Sequence, residues 1–352
     1  MSSRPAQRFF VCLALSVCLA CLAPARCAAW GSAGHRVIAR VAARRLSNSA
    51  KKGVAKLLGV QPDDKAIAEA MAQVSTYADE IRVLRPDTAA WHFVDMPGSA
   101  STYVPARDCA ETKRGDCAVA AVERFEKVLT DASASPEARA EALKFVIHLV
   151  GDLSQPLHCY GDDEGGNLVR VVLPNKKQTN LHSMWDTDLV ETLLRQKPDE
   201  AAYANFLADG IESLEGENSN AAPQLHLTRD ERLAEVRHGT IIARWAVLSP
   251  EQWATDSHGV ARDKIYAPLP RQKTSTDGAA GRRVTTAEAK KMAAAVIARG
   301  AIQQQTQAPQ QSASRPPVVL DPAYFKSSSE EAERQLIKAG LRLAAVLNAI
   351  YK

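Results

Sequence analysis

A mainly α-helical fold with one small β-hairpin is what this sequence predicts, and three observations predict it. Apolar residues recur at three- and four-residue spacing through most of the chain, as in Val37, Ile38, Val41, Ala42 and Leu46. Extended character is confined to a short segment over 91–97 and to a hairpin opened by Gly165 and Gly166. Two polar pairs, His148 with Asp152 and His182 with Asp186, stand four apart inside helical patterns, so each pair projects from one helix face. With 352 residues, 46% of them hydrophobic, the chain can fill one large domain or two ordinary ones.

Residues 1–29 stand apart. Arg4 and Arg8 precede an apolar run over 9–23, and Cys27, Ala28 and Ala29 form a small-residue end, the pattern of a secretory signal. The run is short for a membrane span and no other stretch is long enough, so an exported, soluble product is expected, periplasmic or secreted. Acylation at Cys21 is the other reading of this segment, and the residues before Cys21 fit it poorly. Cleavage after Ala29 removes three arginines and no acidic residue, lowering the formal charge from +4 to +1, which does not imply strong generic attraction to polyanions. Four of the seven cysteines leave as well. Cys109 and Cys117 are expected to pair across a small loop in an oxidising compartment. Cys159 is then a buried apolar filler or, beside His158, a thiolate ligand.

Trp30 would begin the mature chain. Its free amine offers a lone pair, and Gly31 and Gly34 let the chain turn so that His35 returns to the same place; a frayed terminus with a surface histidine is the alternative. A helix is expected over 34–46, its Arg36, Arg40 and Arg44 forming a solvated face and, secondarily, a phosphate contact. A polar connector with Pro62, Asp63 and Asp64 leads to a helix over 65–84. There Asp79 and Arg82 either make a surface ion pair or place a carboxylate on a metal and a guanidinium on its phosphate. Over 91–97 alternation points His92 and Val94 one way, Phe93 and Asp95 the other.

Helices follow over 119–129 and 136–153, the second capped by Ser135 with Pro136 at its first position. The hairpin's first strand covers 168–173 and its turn contains Pro174 and Asn175. Further helices are expected over 182–194, 199–214, 229–247 and 251–258. From about 268 to 317 the composition shifts to Gln, Ser, Thr, Pro and basic residues, an insertion or arm interrupted by a helical fragment over 287–298. An amphipathic helix over 329–350 closes the chain.

An imidazole and a carboxylate are costly to bury side by side unless hydrogen bonds or a metal satisfy them, and a single such pair is more often the former. Two pairs with His158 between them shift the balance towards nitrogen and oxygen ligands of a catalytic zinc site.

Taken with Trp30, Gly31, Gly34 and His35, with Tyr77, Asp79 and Arg82, with Trp91, His92 and Phe93, and with Asn180, these residues resemble the S1/P1 nuclease family in order and spacing. The resemblance runs from Trp30 to the final helix and misses only 268–317. It implies a single helical domain of the phospholipase C/P1 nuclease type, acting as a monomer, with three zinc ions in one cleft. By position, Asp79, His92, His148 and Asp152 would hold one ion, and His158, His182 and Asp186 a second. The amine and carbonyl of Trp30, with His35 and Asp152, would hold the third. Asp152 would then bridge two metals, which acidifies a shared water. The same resemblance gives Arg82 the charge on the phosphoryl oxygens, Phe93 the stacking of a base, Asp95 a base contact or the orientation of water, and Asn167 a further base contact. Core packing for Phe93 and a local turn bond for Asn167 are the structural alternatives. The substrates implied are single-stranded DNA and RNA, cut to 5′-phosphate products, with 3′-nucleotidase activity left open. Zinc-dependent phospholipase C and a non-catalytic zinc-binding protein are the rival readings. Asp186, where those lipases usually carry glutamate, and Phe93 weigh against the first.

Overall fold

A computed structural model of the chain describes residues 30–111, 115–215, 241–246, 249–269 and 316–352. The expected signal, the helical fragment over 287–298, most of the helix over 229–247 and nearly all of the 268–317 insertion lie outside the described residues.

The fold is mainly α, as the periodicity predicts. Helix α1 (Gly31–Arg44) is followed by α2 (Asn48–Leu58), α3 (Asp64–Val74) and α4 (Tyr77–Ile81). Next come a single turn α5 (Pro105–Asp108), then α6 (Ala118–Thr130) and α7 (Pro136–Asp152). Helix α8 spans 181–194 with a π-helical middle at Met184–Leu189. It leads to α9 (Glu200–Glu215), α10 (Ile241–Trp245), α11 (Pro250–Val260) and the long α12 (Pro322–Ile350). Ser135 Oγ accepts the Ala138 N–H at 3.1 Å and caps α7 as expected.

Two helix expectations need correction. The stretch leading to Pro62 and Asp63 is not all connector but holds the helix α2, capped by Ser47 and ended by Gly59 with φ +69°; it buries only Ala50, Val54 and Ala55, too narrow a stripe to stand out in the sequence. The helix expected over 65–84 is broken at Ser75 and Thr76 into α3 and α4. The break leaves the Ser75 carbonyl facing the core, where a side chain of α7 takes it up.

The extended segment over 91–97 is likewise not a paired strand. A 3₁₀ helix at Pro86–His92 delivers the chain into it, yet burial alternates as expected: His92, Val94 and Met96 inside, Phe93 and Asp95 outside. The hairpin forms from β1 (Arg170–Val172) and β2 (Gln178–Asn180), paired antiparallel with Val171 opposite Thr179. A short strand β3 (Val318–Val319) joins β1 in parallel, completing a sheet of order β2, β1, β3.

Helices α1 and α7 form the centre. Helix α1 packs against α3, α9 and α12, and α7 against α2, α4, α6 and α12. Phe145, Val146, Ile147, Leu149 and Val150 of α7 are all buried, each contributing roughly 1.5–3 kcal/mol of transfer free energy. Because α7 is covered on every side, its last polar residues, His148 and Asp152, lie in the deepest part of the molecule. Among the described residues no helix is long and apolar enough to cross a membrane.

Candidate metal centre and cleft

The floor of the site is built on the C-terminal turns of α7. His148 and Asp152 are fully buried, and His148 Nε2 lies 3.2 Å from Asp152 Oδ2. Asp152 is the hub: Oδ2 is 2.9 Å from His92 Nδ1, and Oδ1 is 3.3 Å from His35 Nε2 and 3.6 Å from His158 Nδ1. Asp79 of α4 closes the group, 3.7 Å from His92 Nδ1 and 3.9 Å from His148 Nε2. His35 enters from α1 and stacks on His148 with ring centroids 3.8 Å apart. Gly151 makes that approach possible, since a Cβ there would stand 2.9 Å from the His35 ring.

The second pair lies on α8 at the lip of the same cleft. His182 Nε2 is 3.1 Å from Asp186 Oδ2, and His158 Nε2 is 3.9 Å from Asp186 Oδ1. Trp30 is buried and anchored by Nε1, which donates to the Gly151 carbonyl at 3.0 Å. Its neighbour Gly31 runs against the backbone of Asp186, 2.8 Å from that carbonyl at a built Cβ position. Trp30 therefore joins the floor to the lip, while the residues before it lie outside the described part.

Backbone carbonyls orient three of the imidazoles. Nδ1 of His148 donates to Ser75 O at 2.7 Å, Nδ1 of His158 to His92 O at 2.9 Å, and Nδ1 of His182 to Gly165 O at 2.8 Å. Each bond turns Nε2 towards the carboxylates, the arrangement that outer hydrogen bonds impose on metal-ligating histidines. Gly165 has φ +61° and lies 2.6 Å from the Leu157 carbonyl at a built Cβ, so the residue that holds His182 must be glycine.

Whether these residues fit a metal is decided by what they leave unpaired. His35 Nδ1 and Nε2, His92 Nε2, Asp79 Oδ1 and Asp152 Oδ1 are buried without a hydrogen-bond partner, a concentration that natural cores avoid. Three groups of side chains bring ligand atoms within 4.8 Å of one another: His35, Asp79 and His148; His92, His148 and Asp152; and His158, His182 and Asp186. Buried nitrogen and oxygen atoms left unpaired in this number are what a divalent cation relieves by taking up their free lone pairs, and the donor set fits one. The third group is the one the sequence assigns to a single ion. In the other two, His35 stands beside Asp79 and His148, so the residues assigned to two separate ions form one continuous cluster.

Electrostatics without metal point the same way. Burial opposes charge on His148, but Asp152 and Asp79 overcome it and raise the imidazole to about 9. Burial also works against the Asp152 carboxylate, yet His148, His35 and His92 hold it well below the usual range. Burial drives His158 down to about 4, keeping a neutral imidazole available as a ligand.

Above this floor opens a cleft of about 640 Å³ reached by Arg82, Phe93, Asp95 and Asn167. Phe93 is 38% exposed, which rejects the core-packing alternative. Its backbone is pinned by the Ala118 N–H donating to Phe93 O at 3.1 Å, next to the expected Cys109–Cys117 disulfide. Behind it Trp91, Phe125 and Phe145 form an edge-to-face and stacked aromatic cluster. The Arg82 and Asp79 side chains approach to 3.7 Å. Loss of water, then the charge of Glu164, raises the Asp95 carboxyl. Asn167 lines the cleft and makes the local turn bond, donating Nδ2–H to Glu164 O at 2.9 Å. Cys159 belongs to none of the three groups; its buried thiol, raised by desolvation, faces the Leu153 carbonyl, which makes it filler rather than ligand. Arg36, Arg40 and Arg44 pair with Glu200, Glu69, Asp209 and Glu212 of the two helices packed on α1, so the stripe expected as a solvated face is a half-buried row of interhelical ion pairs, with the Arg40 side chain only 15% exposed.

One residue of the site escapes sequence reasoning. Gln155 is fully buried and donates Nε2–H to Asp186 Oδ1 at 2.7 Å, fixing that carboxylate across the cleft. A glutamine before a proline carries no signal of such a role.

With this geometry the comparisons agree. The family model described as S1/P1 Nuclease matches residues 30–352. Nuclease P1 of Penicillium citrinum is 31% identical over 191 residues, covering 52% of this chain and 67% of that protein. Nuclease S1 of Aspergillus oryzae is 30% identical over 199 residues, covering 52% and 63%. Endonuclease 5 of Arabidopsis thaliana is 26% identical over 332 residues, 92% of this chain and 90% of that protein. The fungal alignments thus span about two thirds of those relatives, and the plant one nearly the whole of both chains. The chain belongs to the S1/P1 nuclease family, enzymes that hydrolyse phosphodiester bonds.

Proposed function

We propose that this chain is an exported, zinc-dependent endonuclease, acting as a monomer on single-stranded DNA and RNA and leaving 5′-phosphate ends. The observation that carries the reading is the meeting of two features: buried histidines and aspartates with unpaired ligand atoms, opening directly beneath an exposed aromatic ring and an arginine. Residues 1–29 and the disulfide support export.

Asp79, His92, His148 and Asp152 would hold one zinc, His158, His182 and Asp186 a second, and Trp30, His35 and Asp152 a third. When bound, zinc supplies Lewis-acid polarisation of the phosphate and brings the pKa of water towards neutrality. The chain's own groups do the rest. Phe93 stacks a base that must first leave its duplex, which favours single strands. Arg82 turns its guanidinium to the non-bridging oxygens and stabilises the charge that grows on them. Asp95, exposed beside Phe93 at the cleft mouth, accepts a hydrogen bond from the base edge. The carbonyls of Ser75, His92 and Gly165 keep the three imidazoles in one tautomer throughout.

The test is metal content and hydrolysis of single-stranded DNA and RNA on one sample of protein starting at Trp30, with 3′-nucleotides and phosphatidylcholine alongside. Three zincs with release of 5′-nucleotides are expected. Lipid cleavage alone would move the chain to the phospholipase branch, and zinc without turnover on any phosphodiester would leave a binding protein.

A further inference from the structure

Helix α11 runs directly into a π turn at Ala261–Tyr266. Three side chains four apart on this stretch, His258, Arg262 and Tyr266, all reach backbone carbonyls of the two segments that form the cleft wall. His258 is fully buried, with Nδ1 3.0 Å from Cys159 O and Nε2 2.9 Å from Ala100 O. A neutral imidazole donates to one of these carbonyls and its protonated form to both. Arg262 donates Nη1–H to the same Ala100 carbonyl at 3.2 Å, and the Tyr266 hydroxyl donates to Asp162 O at 3.2 Å.

Regular α-helix would not align these three. At 3.6 residues per turn a residue eight along has drifted about 80° around the axis. The π turn winds less per residue and takes back most of that drift. Tyr160 records the alignment: its ring stacks on His258 at 5.3 Å and on Tyr266 at 4.4 Å.

What the three side chains hold is the spacing between two segments. One carries Phe93 and Asp95 and runs on to Ala100; the other carries His158, Tyr160 and Asp162. The segments also join directly, where Val94 N–H donates to His158 O at 2.7 Å and Gly161 N–H to Met96 O at 2.8 Å. Further along, the carbonyls of Ala100 and Asp162 find their partners on the α11 stretch instead. Burying an imidazole costs more than burying an apolar side chain of its size. What it adds is direction, because a hydrogen bond fixes distance and angle and an apolar contact fixes neither.

We propose that His258, Arg262 and Tyr266 are positioning residues that set the distance between the Phe93 segment and the His158 turn, and so seat the substrate strand over the metal floor; the inference rests on the nuclease reading above. None of the three lines the cleft. Each acts through the backbone it holds, and small errors in seating a reacting group are costly in rate.

The experiment compares cutting of a single-stranded DNA with cutting of an abasic strand of the same length, by zinc-loaded wild type, Arg262→Ala, Tyr266→Phe and His258→Asn. Arg262 and Tyr266 are half-buried, so their variants are expected to keep the fold. His258→Asn leaves an amide nitrogen at the Nδ1 position and loses the contact with Ala100. Each variant is expected to lower the ratio of the two rates about three- to tenfold, the share of one hydrogen bond, with zinc content and the abasic rate unchanged. A purely structural role would instead slow both strands alike. A ratio unchanged in all three variants, or an equal loss on both strands, overturns the inference and leaves the nuclease reading standing. A folded, zinc-loaded wild type that cuts neither strand overturns both.

Discussion

The two histidine–aspartate pairs have the same spacing and opposite settings. On α7, His148 and Asp152 lie in regular helix at the centre of the core, wholly buried, with ligands arriving from α1, α4 and the His92 segment. On α8, His182 and Asp186 lie where the helix widens into a π turn, at the cleft lip, held by the carbonyl of a glycine loop and by Gln155. Spacing alone puts both pairs on one face. What distinguishes them is support: both histidines are held by a backbone carbonyl, but the floor pair is in addition enclosed by packing on all sides, while the Asp186 carboxylate of the lip pair depends on the single bond from Gln155.

The comparison breaks most sharply at Asp152. Asp152→Asn is expected to lower turnover by about three orders of magnitude or more while far-UV circular dichroism stays helical, because His35, His92, His148 and His158 all face that carboxylate. Near-normal rates in a folded, metal-loaded variant would remove its role as hub. Gln155→Leu probes the lip alone. The expected loss is about 10- to 100-fold in affinity for one metal, read by competitive chelation, with the remaining ions unaffected. Equal weakening of all ions would show that the two regions are not independent.

Phe93→Ala touches neither pair. It should raise KM on single strands about tenfold, the contribution of one stacked base, and leave metal content alone; a fall in kcat with KM unchanged would count against stacking. The smallest effect lies off the site. Burial, then Glu123, raises the Glu126 carboxyl to about 7 from an ordinary 4.5. The folded chain therefore keeps a proton that the unfolded chain loses between those values, and stability falls as pH rises through that window. Glu126→Gln should flatten the slope and raise the thermal midpoint at pH 8 by a few degrees, roughly 1 kcal/mol, with activity unchanged. A midpoint still falling from pH 5 to 7 in that variant would assign the slope to another group.

Much of this was legible because it is local. Ser135 and Pro136 announce the start of α7, and the two pairs spaced by four announce the site. The alternation around His92 gives the correct inward and outward faces even where no strand forms. What was not legible depends on distant neighbours. The break at Ser75 makes sense only with His148 beside it, Gln155 only with Asp186 across the cleft, and β3 is two residues long, too short for any period. The lysine-rich α2 hides because only three of its residues are buried.

The carbonyl bonds at Ser75, His92 and Gly165 have one more consequence. They hold three imidazoles in place through contacts that involve no ion at all. A zinc finger collapses when its ion is taken; this protein should behave as a cage whose bars stand whether or not it is occupied. A chelator is then expected to act as an off switch rather than a denaturant, and returning the metal to restore activity without a refolding lag.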